Sequence, residues 1–470
     1  MVSRDDEIAF TPALDLVRRY ASRDLSPVEV TEAVLARIER VNPTLVAFIT
    51  VTAELALAAA QAAELAYSGG SAGPLAGVPL SIKDITATRG VRTTRGSLLY
   101  RDFVPDEDAP FVERVLAAGA VMLGKTNTPE LGWKGDSGNR LVGPTHNPWQ
   151  HGRTAGGSSG GGAAAVAAGM GPLAQGTDGA GSIRIPAAFC GVFGLKPSFG
   201  LVPNFPASAV GDLAHVGPMT RTVRDAALLL NATAGADPRD RLSWSSGVDY
   251  LDGIGAGIAG WRVAWSADLG YTEVAPGVRD ATEQAARRFE ELGCAVEEAH
   301  PGLPDPWDIE GTIWEAAMAG VFRGRLDDVR DRLDPGLLRV VERGNAIAAA
   351  DLAAAQQRRA GYYDAWRRFM ERYDLLLTPT LPVTAFAAGA DEPPRADGRT
   401  DVTPLDWTKF TYPFNLTGQP AATVPCGFDA AGLPIGLQIV GRWHADATVL
   451  RASAAFEEAA PWAGVVPPVG

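Results

Sequence analysis

Two glycine-rich stretches decide how this chain is read: Gly156-Gly157-Ser158-Ser159-Gly160-Gly161-Gly162, and Gly176-Thr177-Asp178-Gly179-Ala180-Gly181-Ser182-Ile183-Arg184-Ile185-Pro186. Glycines let a backbone turn tightly and bring its N–H groups close to a ligand. A serine nucleophile needs such a setting, with its hydroxyl exposed on a turn and adjacent N–H groups facing the developing oxyanion. Gly179, Ala180, Gly181 and Ser182 can each supply one of those donors. Taken alone, either stretch is also readable as a flexible loop with incidental serines, because short motifs recur by chance.

Working outward, Gly77-Val78-Pro79-Leu80-Ser81-Ile82-Lys83-Asp84 reads as a short buried strand that delivers Lys83 at its end. Attack on an amide carbonyl needs a base for the serine proton and later an acid for the leaving amine. Lysine is a base only when neutral, and its unperturbed pKa is about 10.4. Burial among Val78, Leu80 and Ile82 disfavours the ammonium and lowers that value. The plain alternative for Lys83 is a strand-end lysine paired with Asp84. Asp178 and Arg184 flank the Ser182 turn and are expected to hold it as an ion pair. Ser159 and Thr177 are expected to hydrogen-bond to Lys83, Ser182 or the nearby backbone. Cys190 reads as a small buried residue.

The rest of the chain alternates helix-like and strand-like segments. Ser26-Pro27 is a good helix start, and an alanine-rich helix follows at about 52–67, then another near 108–118. Strand candidates are 120–124, 261–265, 295–298, 375–379, 420–426 and 435–440, with a helix near 276–292 and a long helical region at about 307–373. The Pro/Asp/Gly-rich stretch 379–405 reads as a loop. This alternation predicts an α/β fold, a sheet flanked by helices. With no repeat and no clear linker, the 470 residues read as one domain. Within it lie N-terminal helices at about 8–68, a catalytic core at about 76–220 and a C-terminal α/β portion at about 221–470.

Composition narrows the function. Apolar residues make up 46% and charged residues 21%, an ordinary globular balance. The formal charge of −13 repels phosphate backbones and anionic lipid, so neither nucleic acid nor a membrane is expected as partner. Three cysteines, Cys190, Cys294 and Cys426, give no disulfide framework, and a reducing cytoplasm is the simplest setting. The N-terminus lacks the order of a signal peptide, and no run is apolar enough for a bilayer span, so a soluble protein is expected. No His-Glu-x-x-His or Cys/His cluster points to a metal, and no cofactor is implied.

The quoted segments resemble the amidase signature family. The resemblance extends to Cys190-Gly-Val-Phe-Gly-Leu-Lys-Pro197, Gly124-Lys-Thr-Asn-Thr-Pro-Glu130, Phe414-Asn-Leu-Thr-Gly-Gln-Pro420 and Leu433-Pro-Ile-Gly-Leu-Gln438, and is weaker between 240 and 370. It implies a single large mixed β-sheet with helices on both faces. It also implies a Ser–cis-Ser–Lys triad: Ser182 as nucleophile, Ser158 as proton relay after a cis peptide, and Lys83 as base. The implied reaction cleaves a C–N amide bond through an acyl-enzyme and releases a carboxylate with an amine or ammonia. The substrate partner is a small-molecule amide; a homodimer is left open. Many members carry Thr-Gly-Gly before the nucleophile, whereas here Gly179-Ala180-Gly181 removes a side chain at 179 and adds a methyl at 180.

Two other readings compete. Gly156-Gly-Ser158-Ser-Gly160 fits the G-x-S-x-G nucleophile elbow, but only His215, His300 and His444 follow it, none in a recognisable motif, and a loop rather than a strand precedes it. A phosphate-binding loop would need a Gly-Lys-Ser/Thr ending that is missing. Within the family, glutaminase subunits of tRNA-dependent amidotransferases usually carry Ile-Arg-Gln-Pro after the nucleophile and an Asp two residues before Phe-Thr. Ile185 and Thr408 stand there, which favours a stand-alone amidase acting on an apolar, aryl or alkyl amide. Leu131, Trp133, Trp314, Trp407, Thr408 and Tyr412 are the expected pocket residues.

Overall fold

The computed structural model describes residues 4–394, 405 and 407–469. Among them, eleven strands form one mixed sheet. In chain order these are β1 (Phe48–Val51), β2 (Pro79–Lys83), β3 (Val121–Thr126), β4 (Leu173–Asp178), β5 (Phe193–Lys196), β6 (His215–Thr220), β7 (Arg262–Trp265), β8 (Ala295–Glu298), β9 (Leu375–Pro379), β10 (Ala421–Phe428) and β11 (Pro434–Gly441). Their order across the sheet is β1-β3-β2-β4-β6-β5-β10-β11-β9-β7-β8. β3, β2 and β4 run parallel, as do β9, β7 and β8, while the strands between β4 and β9 pair antiparallel.

Side chains alternate across this sheet, which is why it needs cover on both faces. Leu80, Ile82, Phe193, Leu195, Leu375 and Leu377 face one side. There they meet helices Pro110–Ala117, Val223–Thr233, Pro276–Glu291 and Asp446–Ala459, which contribute Val115, Leu229, Phe289 and Phe456. Ala264, Leu376 and Val440 turn the other way, against helices Trp307–Val321, Pro335–Asn345 and Ala349–Met370. Leu123 and Ala174 do the same against Pro27–Leu45 and Gly160–Ala167. This second face carries the chemistry, because Lys83 follows Ile82 and points away from the first core.

The predicted fold class is the one observed, a single large mixed sheet between helices. The helix start at Ser26-Pro27 is realised, with Ser26 Oγ accepting the Val28 N–H at 3.0 Å. The long helical region at 307–373 is three helices with a short one, Leu326–Val329, between the first two. Asp334-Pro335 restarts the helix, and the Asp334 carboxylate caps it by accepting the Gly336 N–H at 2.8 Å. Strands β4, β5 and β6 lie within or beside the glycine-rich centre, where the sequence suggests no strand. Of the predicted loop 379–405, residues 395–404 lie outside the described residues. No helix among the described residues is long and apolar enough to cross a membrane.

Candidate active site

Lys83 ends β2, between β3 and β4, and its backbone is fixed by Gln175 Oε1, which accepts the Lys83 N–H at 3.0 Å. Its Nζ lies 2.7 Å from Ser158 Oγ and 2.8 Å from Thr177 Oγ1. As an ammonium it donates to both; as a neutral amine it can accept the Ser158 O–H. The side chain is fully buried, and that burial lowers its pKa to about 7 against the opposing pull of the Asp178 carboxylate. Asp84 is not its partner. It accepts from the Thr94 N–H at 3.0 Å and from the Thr94 hydroxyl, and it faces Lys125.

Ser158 follows a cis Gly157–Ser158 peptide. The bend is packed so closely that a Cβ on Gly157 would lie 2.6 Å from the Asp136 backbone. Ser137 Oγ holds both ends of the bend, donating to Gly156 O and accepting the Gly160 N–H, each at 2.8 Å. Ser159 ties the two glycine segments together: its Oγ donates to Thr177 O at 3.1 Å and accepts the Thr177 N–H at 3.2 Å. Its own N–H donates to Ser182 O at 3.1 Å.

Ser182 sits on the turn between β4 and the helix Arg184–Cys190. The Asp178 carboxylate organises that turn by accepting the Gly181 N–H at 2.8 Å and the Ile183 N–H at 3.1 Å. Arg184 clamps the same carboxylate through Nε at 3.0 Å and Nη2 at 2.9 Å, and both side chains are fully buried. Burial alone would raise the Asp178 carboxyl, but the Arg184 charge and hydrogen bonds, with Lys196 and Asn415, hold it below the usual carboxylate range. Arg184 spends its remaining donors on Thr411 O, Gln438 Oε1 and Asn415 Oδ1. Thr411 Oγ1 also donates to Ala180 O at 2.7 Å, and a Cβ on Gly181 (φ 128°) would collide with it at 2.4 Å.

This geometry changes the expected donor set. The Gly181 N–H is committed to Asp178, so it cannot also face an oxyanion. The N–H groups of Gly179, Ala180 and Ser182 make no hydrogen bond among the described residues. No hydrogen bond joins the Ser158 and Ser182 hydroxyls either, yet both line one cavity of about 310 Å³, together with Thr177 and Gly179.

The pocket expectation needs a larger correction. Leu131 and Trp314 line the cavity, whereas Trp133, Trp407, Thr408 and Tyr412 do not. Trp133 is buried so tightly against Gly336 that a Cβ there would lie 2.1 Å from its ring. Trp407 stacks parallel to Phe189 at 6.1 Å and meets the edge of Phe386. Thr408 Oγ1 donates to Leu405 O at 2.7 Å, and the Tyr412 hydroxyl donates to Asp305 Oδ1 at 2.6 Å. All four are buried: Trp133 and Tyr412 share a core with Ala180, Trp407 shares another with Ile185, and the Thr408 carbonyl accepts the Thr411 hydroxyl.

The family model for amidases matches residues 29–450. The chain belongs to the amidase signature family. It is accordingly an amidase, a hydrolase of carbon–nitrogen bonds. It is 41% identical to an acylamidase of Rhodococcus erythropolis over 98% of both chains. It is 39% identical to a glutamyl-tRNA(Gln) amidotransferase subunit of Thermosynechococcus vestitus, over 95% of this chain and 98% of that one. Among solved structures it is similar to a bacterial aryl acylamidase of the amidase signature family, with a TM-score of 0.90 and 34% identity over 96% of this chain and 97% of that one. It is also similar to a 6-aminohexanoate cyclic dimer hydrolase complexed with substrate, with a TM-score of 0.89 and 33% identity over 98% and 99% of the two chains.

Several residues around the amidase cavity carried no readable signal. Arg95, Tyr100 and the segment 203–210 all line it, and nothing in their local sequence marks them. Thr411, Asn415 and Gln438 lie in segments that carry the family resemblance, but their part in holding Arg184 emerges only once the turn is folded.

Proposed function

We propose that the amidase hydrolyses a small, apolar aryl or alkyl amide through an acyl-enzyme on Ser182, with Ser158 relaying the proton and Lys83 as base. The observation that carries this reading is the 2.7 Å contact between the fully buried Lys83 Nζ and Ser158 Oγ, beside the cavity that Ser182 also lines. Neutral Lys83 draws the proton of Ser158, and Ser158 draws that of Ser182 as its oxygen attacks the carbonyl. The N–H groups of Gly179, Ala180 and Ser182 stabilise the oxyanion. The stored proton returns through Ser158 to the departing amine, and water then releases the acid by the same route. Apo hydrogen bonds in such sites are commonly loose and tighten with substrate, which accommodates the missing Ser158–Ser182 bond.

The acylamidase relative and the aryl acylamidase structure support an apolar amide substrate. The glutaminase reading draws on the similarity to the tRNA-dependent amidotransferase. Against it, no carboxylate lines the cavity among the described residues, so a substrate ammonium would be buried unpaired. Thr408 no longer bears on this choice, because it lies in the core. The test is peptide mapping after a fluorophosphonate: one adduct on Ser182, with full loss of activity, is expected. An adduct on Ser158 would favour the nucleophile-elbow mechanism instead.

A further inference from the structure

Arg95 lines the same cavity as Ser158, Ser182 and Trp314, and it is the only charged side chain among the described lining residues. Its guanidinium lies over the Tyr100 ring at 4.6 Å and the Phe103 ring at 5.1 Å. Such stacking holds an arginine in place while leaving its in-plane donors free. Nε is buried without a hydrogen-bond partner, and the side chain forms no ion pair among the described residues. In a chain with a net charge of −13, an arginine left without an acid is notable on physical grounds.

The backbone places this group deliberately. Arg95 has φ 54°, in the left-handed region that disfavours residues with a Cβ. Its N–H donates to Asp84 O at 2.9 Å, and its carbonyl accepts the Leu131 N–H at 2.8 Å. Leu131, which also lines the cavity, is itself left-handed at φ 53°. Strain of this kind persists where surrounding structure imposes it and gathers at ligand sites. A second guanidinium, that of Arg325, reaches the Tyr100 hydroxyl at 3.5 Å from outside, adding positive charge on the same side.

We propose that Arg95 is a specificity-determining residue that binds a carboxylate carried by the amide substrate away from its scissile bond. The proposal rests on the reading that this cavity is the amide site. Planar, forked guanidinium donors match a carboxylate, and the apolar walls around them exclude competing water. The preferred substrate is then not wholly apolar: it is an aryl or alkyl amide whose apolar body ends in one acid group, which narrows the substrate class proposed above.

The experiment measures equilibrium binding to Ser182→Ala, which removes turnover from the readout. The ligands are 4-acetamidobenzoate and its neutral near-isostere 4-acetylacetanilide. The carboxylate ligand is expected to bind at least about tenfold more tightly, the usual scale of one charge-assisted contact. Its affinity should fall with added salt while that of the ketone stays level. Arg95→Gln should bring the two affinities together, and Arg95→Lys should retain part of the preference. Equal affinities with Arg95 present, or a preference that survives Arg95→Gln, would overturn the proposal. Should Arg95→Gln fail to fold, the salt dependence with Arg95 intact decides: a carboxylate affinity indifferent to salt overturns it. Residual turnover by Ser182→Ala would count against Ser182 as nucleophile, and it is read separately from the binding ratio.

Discussion

A Cβ added to Gly179 would lie 3.0 Å from Cζ3 of Trp314, so the indole fills the space that a side chain at 179 would take. The first residue of the oxyanion turn and the aromatic on the facing helix are thus complementary in size. The backbone at Gly179 does not have a positive φ, so a threonine there is refused by the indole and not by strain. Gly179→Thr is expected to crowd the cavity and lower kcat/KM on an aryl amide about tenfold, since small displacements of a reacting group cost heavily. Trp314→Ala in the same chain should recover part of that loss. Kinetics on the four proteins of the cycle check the coupling; strictly additive effects would show that the two positions do not share a pocket wall.

Lys83 gives the pH dependence. Burial brings its pKa down to about 7, and the neutral amine is the base, so kcat/KM should rise with pH through about 7 and level off above it. Lys83→Ala should lose at least about 10²-fold while remaining folded, by the usual scale of general-base catalysis. Lys83→Arg should not rescue it, because a guanidinium stays charged throughout this range. A pH–rate profile for each protein tests the assignment. Near-normal turnover by Lys83→Ala would falsify it.

How far the sequence reveals these features depends on what each residue answers to. β2 is legible because Pro79-Leu80-Ser81-Ile82-Lys83 is a compact, largely apolar run, and β9 is legible for the same reason. β4, β5 and β6 are not, because their composition answers to close packing rather than to strand propensity. A Cβ on Gly176 would lie 2.8 Å from Ile183, one on Gly194 2.7 Å from Ala187, and one on Gly217 2.3 Å from the Leu195 carbonyl. A helix residue (Ala187), the turn before that helix (Ile183) and a neighbouring strand (Leu195) lie this near, and they demand glycine where a strand would ordinarily carry a branched residue. In the site, the motifs mark Ser158 and Ser182, which line one cavity, and Lys83, whose Nζ reaches Ser158 Oγ from behind it. Aromatic residues carry no comparable label: Trp314 lines that cavity while Trp133, Trp407 and Tyr412 build its foundations.

The Asp178–Arg184 pair should be costly to break. Both groups are fully buried, so Asp178→Asn strands a guanidinium beside Lys196 and loosens the Gly181 and Ile183 contacts. Removing one partner of a buried pair typically costs about 3–5 kcal/mol. Urea unfolding should show a loss of that order, with fluorophosphonate labelling of Ser182 slowed even at temperatures where the variant stays folded. The same pair sets an acid response. The carboxyl is depressed in the folded state, so its contribution is present above the unfolded carboxylate pKa and is lost as pH falls toward the folded value. Acid unfolding of Asp178→Asn should lack that component.

Substrate choice follows from the charges that face the cavity. Free glutamine brings an ammonium and a carboxylate on one carbon. Arg95 can meet the carboxylate, but no described lining residue carries an acid to pair with the ammonium, and burying that charge unpaired is costly. A neutral aryl or alkyl amide is therefore expected to show at least about tenfold higher kcat/KM than glutamine, the factor that 1.4 kcal/mol provides. Thr408→Asp will not close that gap, because Thr408 is wholly buried outside the cavity and its hydroxyl is bonded to the Leu405 carbonyl. An aspartate there places an unpaired carboxylate in the core and should lower Tm while leaving the glutamine preference where it was. Rates for the wild type and Thr408→Asp on both substrates check this. Glutamine as the better substrate of the wild type would overturn the pocket assignment, because some group outside the described lining would then have to hold its ammonium.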